Sequence, residues 1–156
     1  MSLEKPEVVR TDTGAHDFLE LVEMLDKELS ERDGEEHEFF AQFNQLGKKD
    51  FAVVAYIDKF PAGCGALRSY GDDTFEVKRM FVRDEFRNRK IGAAILKSLE
   101  ERMSELGGRY CILETGIRQP EAIRLYKREG YDVIPNFGQY TEVETSVCMK
   151  KDLGNG

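Results

Sequence analysis

Lys78, Arg79, Arg83, Arg87, Arg89 and Lys90 form a basic block in a chain whose net charge is −7. Within it, Arg87-Asn88-Arg89-Lys90-Ile91-Gly92 stands between a strand-like run ending at Val82 and a helical stripe of Ile91, Ile95, Leu99, Met103 and Leu106. The spacing predicts that this segment opens the longest helix of the chain. A helix start presents unpaired N–H groups and the positive end of the helix dipole. Those features suit a phosphate, and flanking cations add charge-assisted hydrogen bonds. Gly92, Ala93 and Ala94 in the first turn would let such a ligand approach closely. The competing reading is a solvated basic turn before an ordinary amphipathic helix. No GxxxxGK[ST] phosphate loop occurs, and Gly63-Cys64-Gly65 is no dinucleotide fingerprint, because Arg68 stands where its third glycine would be.

Several elements must position this segment. Glu7 to Arg10 reads as a short first strand. Phe18, Leu21, Val22, Leu25 and Leu29 mark one helix face, with Thr13 as the expected cap and Gly34 as the stop. Phe39, Phe40, Phe43 and Leu46 mark a short second helix. Strands follow at Phe51–Ile57, Cys64–Tyr70 and Thr74–Val82, with Asp58–Gly63, around Pro61, as a hairpin turn. After the helix closed by Gly107 and Gly108 come a strand at Tyr110–Thr115 and a helix begun by Pro120 and stopped by Gly130. Tyr131–Ile134 and Ser146–Lys150 close the fold. The order β-α-α-β-β-β-α-β-α-β-β predicts an α+β fold, a mixed and mainly antiparallel sheet with helices on its faces.

Composition narrows the class. With 156 residues, 40% apolar and 34% charged, the chain reads as one soluble globular domain spanning residues 1–156. Its longest apolar run, Phe51–Ile57, is too short to span a bilayer, and Met1 to Arg10 lacks a signal-peptide apolar stretch. Cys64, Cys111 and Cys148 are scattered, which argues against a disulfide framework or a metal site and for a reducing cytoplasm. The acidic balance excludes general nucleic-acid binding and favours a cationic partner such as an amine.

Two motifs carry a resemblance. Val77-Lys78-Arg79-Met80-Phe81-Val82 followed by Arg83 through Gly92 resembles the acetyl-CoA motif of the GNAT N-acetyltransferases, a strand followed by [Q/R]-x-x-G-x-[G/A]. Gln119 through Tyr131, QPEAIRLYKREGY, resembles that family's N-x-x-A-x-x-L-Y-x-x-x-G-[F/Y] stretch. The stretches around Arg32-Asp33-Gly34 and Ile134-Pro135-Asn136-Phe137-Gly138 also resemble a small, poorly characterised bacterial subgroup. The sequence departs from the pattern at Asn88 and Lys90, where glycines are usual, and at Gln119, where asparagine is usual. Asn tolerates a positive φ, whereas Lys adopts one reluctantly.

The resemblance implies a sheet of six to seven strands flanked by about four helices, acetyl-CoA as cosubstrate, no metal, and a small-molecule or peptide amine as acceptor. It assigns the backbone of Met80, Phe81 and Val82 to the pantetheine arm, on a strand that splays from its neighbour. It assigns Arg87, Asn88, Arg89, Lys90, Ile91, Gly92 and Ala93 to the pyrophosphate, and places Gln119 at the donor site. Glu76, eleven residues before Arg87, falls where some members carry a catalytic glutamate; the other reading is an ion-pair partner for Lys78. Tyr126 matches the tyrosine that protonates the departing thiolate; the other reading is a packing residue. In the family layout Glu36 and His37 would lie near the acceptor cleft, the other reading of His37 being an exposed loop or helix-start residue. Phe137, Tyr140 and Cys148 fit either the acceptor site or a loop packed on the sheet, and the acidic run Glu28–Glu38 fits either attraction of a cationic acceptor or a solvated helix face. The family layout is also compatible with a homodimer through the last strands, and with a non-catalytic acyl-CoA-binding module.

Overall fold

A computed structural model describes residues 5–34, 41 and 45–154. Phe51–Ile57 (β2) is an apolar, mostly buried run and lies inside the sheet. Glu7–Thr11 (β1) pairs antiparallel on one side of it and Phe60–Ser69 (β3) on the other. The β2–β3 turn is two residues, Asp58 and Lys59, at φ 50° and 66°. A tight hairpin needs positive φ at both central positions to match strand twist. The turn is therefore shorter than expected, and Pro61 lies within β3, beside the register shift at Ala55/Tyr56.

Thr74–Val82 (β4) continues the sheet antiparallel to β3. The chain then passes through a single 3-10 turn, Asp84–Phe86, and enters the helix Ile91–Glu105. Tyr110–Gly116 (β5) returns parallel to β4. The remaining elements are the helix Pro120–Arg128, the strands Asp132–Ile134 (β6) and Ser146–Asp152 (β7), and a 3-10 turn at Gly138–Tyr140. With His16–Asp33 as α1, the two later helices are α2 and α3. The seven strands run β1-β2-β3-β4-β5-β7-β6, and β4–β5 is the parallel pair. The expected α+β class and mostly antiparallel sheet are observed. Three helices are described; most of the short helix expected over Phe39–Leu46, and Glu36 and His37, lie outside the described residues.

Alternation along the strands feeds two cores. Val53, Ala55, Leu67, Val77 and Leu113 face α2, which brings Ile91, Ile95, Leu96, Leu99 and Met103. Ala52, Val54, Cys64, Ala66 and Phe81 face α1, which brings Phe18, Leu21 and Leu25. Thr13 does not cap α1; its hydroxyl donates to the Gly47 carbonyl at 3.0 Å and Ala15 occupies the cap position. Gly34 does end the helix, at φ 57°. At 18 residues α1 exceeds α2 at 15, because the segment from Arg87 to Lys90 is loop and α2 starts only at Ile91. No helix among the described residues is long and apolar enough to cross a membrane.

Contact between α2 and β3 depends on the missing side chains of Gly63 and Gly65. A Cβ on Gly65 would lie 2.7 Å from Ile95 Cγ2, 2.9 Å from Met80 Sδ and 3.0 Å from Leu99 Cδ1. Gly65→Ala therefore overpacks the α2 face of the sheet. The expected loss is about 1–3 kcal/mol, read as a lower urea midpoint at unchanged slope.

Candidate functional site

The parallel contact between β4 and β5 is brief. Thr74, Phe75 and Glu76 pair with Tyr110, Cys111 and Ile112, and the pairing goes no further. β4 and β5 then part, and the β4 backbone beyond Glu76 keeps only β3 as strand partner. A bulge marks the departure. Cys64 pairs with Phe81 and Ala66 with Lys78, so Arg79 and Met80 together oppose the single Gly65. Arg79 takes φ 58°, in the left-handed region that side chains avoid. Its guanidinium is held at 2.6 Å by Asp26 of α1, and its carbonyl accepts from the Cys64 thiol at 3.4 Å.

The gap is a cleft with an empty volume of about 820 Å³, part of it open to solvent. Both faces of the sheet contribute to it. Glu76 and Lys78 of β4 and Leu25 and Leu29 of α1 line the α1 side, while Tyr126 reaches it from α3. Met80 and Gln119, two expected donor-site residues, line it as well.

Glu76 and Lys78 are a buried pair, 3.2 Å apart, with side chains 4% and 3% exposed. Burial pushes the Glu76 carboxyl above its ordinary value, against the opposing pull of the Lys78 ammonium and, more distantly, of Arg68. The Tyr126 phenol is raised by burial, and then by Cys111 and Glu114 nearby, so it keeps its proton at neutral pH. Its ring packs edge-on against Tyr131 at 5.9 Å between centroids. Glu76 is thus the ion-pair partner of Lys78, and it also lines the cleft.

The loop before α2 has a shape suited to an anion. Asn88 and Lys90 sit at φ 66° and 62°, the conformation that glycine would supply. Lys90 caps α2 with no side-chain cap bond, so the N–H groups of the first turn stay available. Backbone rather than side chains dominates here. The Arg87 Nε donates to the Val82 carbonyl at 2.9 Å, and its outer nitrogens meet Glu28 at 2.9 Å and Asp84 at 2.6 Å. Arg89 lies over the Phe86 ring, 5.4 Å from its centroid. Ile91 is buried in the core. Phe81 is buried too, facing α1, and with Arg87 it borders a second, adjacent cleft. A Cβ on Gly92 would lie 3.1 Å from Leu125 Cδ2, so its bareness also lets α3 pack close to the start of α2.

Lys78, part of the basic block, is the ion-pair partner expected for Glu76 and lines the cleft with it. Glu114 of β5, which accepts from the Ser146 hydroxyl at 2.7 Å, also lines the cleft, though the motifs assign it no part in a site. The lone acid in Cys111-Ile112-Leu113-Glu114-Thr115 was the available signal. Tyr140, expected on the acceptor side, lines the cleft and is 1% exposed. Phe137 packs edge-on between Tyr140 and Tyr70, at 5.7 and 5.3 Å. Cys148 lies buried with Tyr140 in a small cluster.

Comparison with known proteins identifies relatives with this architecture. The family model for the acetyltransferase (GNAT) family matches residues 18–131. An IAA acetyltransferase of Azospirillum brasilense is 32% identical over 137 residues, covering 86% of this chain and 90% of that one. A Klebsiella pneumoniae crystal structure, whose name places it among the acyl-CoA N-acyltransferases, is 27% identical with a TM-score of 0.81, covering 95% of this chain and 97% of the other. A GNAT acetyltransferase from Elizabethkingia anophelis with acetyl-CoA bound shares the fold at TM-score 0.68 and 19% identity, over 96% of this chain and 99% of its own.

Lys90 supplies a direct test of the loop geometry. A left-handed side-chain residue costs about 1–2 kcal/mol, and glycine returns part of that as lost chain entropy. Lys90→Gly should leave stability unchanged or raise it by up to about 1 kcal/mol. Lys90→Val should lower it by about 1–2 kcal/mol, both read by denaturant unfolding.

Proposed function

The chain belongs to the GNAT acetyltransferase family, and on that premise we propose that it moves an acetyl group from acetyl-CoA directly to a primary amine, with Glu76 as base and Tyr126 as acid. Family membership makes it an acetyl-CoA-dependent acyltransferase; the acceptor and the two roles are the proposal. One observation carries it: the parting of β4 and β5 lets Glu76 and Tyr126 line one cleft although they belong to opposite faces of the sheet. We take residues 1–156 as a single acetyltransferase domain.

Donor binding would use groups whose sequence pattern matches the family motif. The free edge of β4 at Met80–Val82 suits the amide-bearing pantetheine arm. The loop from Arg87 to Ala93 offers N–H groups to the pyrophosphate. Arg87 would work mainly by shaping that loop, since its guanidinium is tied to Val82, Glu28 and Asp84.

Chemistry would then follow from the two titratable groups. The amine nitrogen attacks the acetyl carbonyl carbon, and an N–H of β4 polarises the carbonyl oxygen. The amine proton passes to Glu76, directly or through one water. The carbon–sulfur bond breaks and the thiolate takes the Tyr126 proton. Burial suits both roles. It raises the carboxyl above its ordinary value, which makes it a better proton acceptor, and it keeps the phenol protonated until a strong base appears beside it.

Three outcomes are expected. Acetyl-CoA should raise the melting temperature, with a stabilisation of about 2.7 kcal/mol when its concentration is 100 times Kd; no shift at millimolar acetyl-CoA refutes donor binding. Glu76→Gln and Tyr126→Phe should each lower kcat by roughly 10²-fold or more while acetyl-CoA affinity is retained, measured by thiol release across an amine panel. The base must be ionised, so the rate should fall as pH drops through the Glu76 titration. Because the carboxyl is raised, that limb should lie above the usual carboxylate value of about 4.3.

A further inference from the structure

Lys78 is a buried cation that the transfer chemistry leaves without a role. Its ammonium nitrogen lies 3.2 Å from Glu76 Oε2, and both side chains are almost fully enclosed. The two residues alternate on the α1-facing side of β4, opposite Ala66 and Arg68 of β3. Among the described residues, Lys78 is the sole hydrogen-bond partner of the Glu76 carboxylate. Stability does not account for such a pair. Desolvating two charges costs about as much as their attraction returns, and apolar residues of similar size would serve the fold as well. The pair stands where the pairing of β4 with β5 ends: Glu76 is the last residue opposite β5, Lys78 lies beyond it, and both line the cleft.

We propose that Lys78 is a positioning residue for the transfer reaction: it holds the Glu76 carboxylate ionised and fixed through Oε2, leaving Oε1 to take the proton of the acceptor amine. This rests on Glu76 being the base.

Other groups around Glu76 do not replace this contact. Arg68 on β3 favours the ionised form but is itself paired with Asp50 at 3.1 Å. Glu114 on β5 adds negative charge to the same cleft. Tyr140 is raised by burial, by Glu114 and by Glu76, and Cys148 is raised chiefly by burial to about 11, so both are neutral near pH 7. From α1 the cleft receives Leu25 and Leu29, while Asp26 is bound to Arg79. Without Lys78 the carboxylate would be enclosed with no cation in contact. It would hold a proton at higher pH and could not accept one from the amine.

The test follows the Glu76 carboxyl carbon by NMR in the full chain labelled at glutamate carboxyls, with the resonance identified by its loss in Glu76→Gln. Lys78→Met should raise the titration midpoint by about one pH unit or more, with acetyl-CoA affinity within about twofold of wild type by calorimetry. Lys78→Arg should restore the wild-type midpoint. Should the Met variant not fold, Lys78→Gln carries the same readout. Acetyl transfer to a responsive amine at pH 7 should fall about tenfold in the Met variant and recover at higher pH. In a Glu76→Gln background, Lys78→Met should cause no further loss. An unmoved midpoint, or a further tenfold loss in that background, overturns the inference. Full activity of Glu76→Gln would instead overturn the base assignment beneath it.

Discussion

A strand inside a sheet is expected to satisfy its backbone on both sides, and β4 does so for only three residues. From Glu76 onward it keeps β3 and gives up β5. Buried N–H and C=O groups without partners are costly, so the gap must be held open by something stiff. The bulge at Arg79 is that device. It puts two residues opposite Gly65 and bends the strand, while Asp26 and the Cys64 thiol pin the strained residue from side chain and carbonyl. Gly65 enters the same constraint from beneath, because Met80 and α2 both crowd the space its Cβ would take. Cleft, bulge and α2 packing therefore form one unit.

Charge is distributed around this unit in a consistent way. The chain is acidic, and its basic block is largely consumed internally. Arg79 goes to Asp26, Arg83 to Glu20, and Arg87 to Glu28 and Asp84. These pairs stitch α1 to β4 and to the loop before α2. On the proposed reading, a phosphate would then be drawn mainly by main-chain N–H groups at the start of α2, which are fixed in direction. Side chains that must exchange one partner for another would make a softer and slower site.

Much of this was legible in the sequence, and the parts that were not share a cause. Strand and helix positions followed from apolar periodicity, and the stripe beginning at Ile91 marked the start of α2. Long-range partners could not be read. Glu28 lies 59 residues from Arg87 in sequence, so the type of Arg87 suggested a ligand contact while its direction went to α1. The closeness of Leu125 of α3 to Gly92 likewise depends on a contact between separate elements that the motif alone does not contain. Positive φ at Arg79, Asp58 and Lys59 is announced by no glycine or asparagine, so the bulge went unseen and Pro61 drew the expected turn too far along. At Asn88 and Lys90 the family pattern was the better guide, since both take the glycine-like conformation despite their side chains. Glu114 became visible only when β7 set Ser146 beside it.

The arrangement also bears on whether the acetyl group stops on the protein. A covalent intermediate would need a nucleophile in the cleft. Burial raises the Cys64 and Cys111 thiols to about 12 and that of Cys148 to about 11, so thiolates are scarce at neutral pH. None of the three lines the cleft. What the cleft offers instead is a carboxylate on the α1 side and a phenol on the α3 side, in a sheet pierced between them. A thioester held along β4 would meet an amine arriving from α1, and each proton would have its own group. That separation suits a single displacement, because the site that deprotonates the nucleophile need not be vacated before the leaving group is protonated.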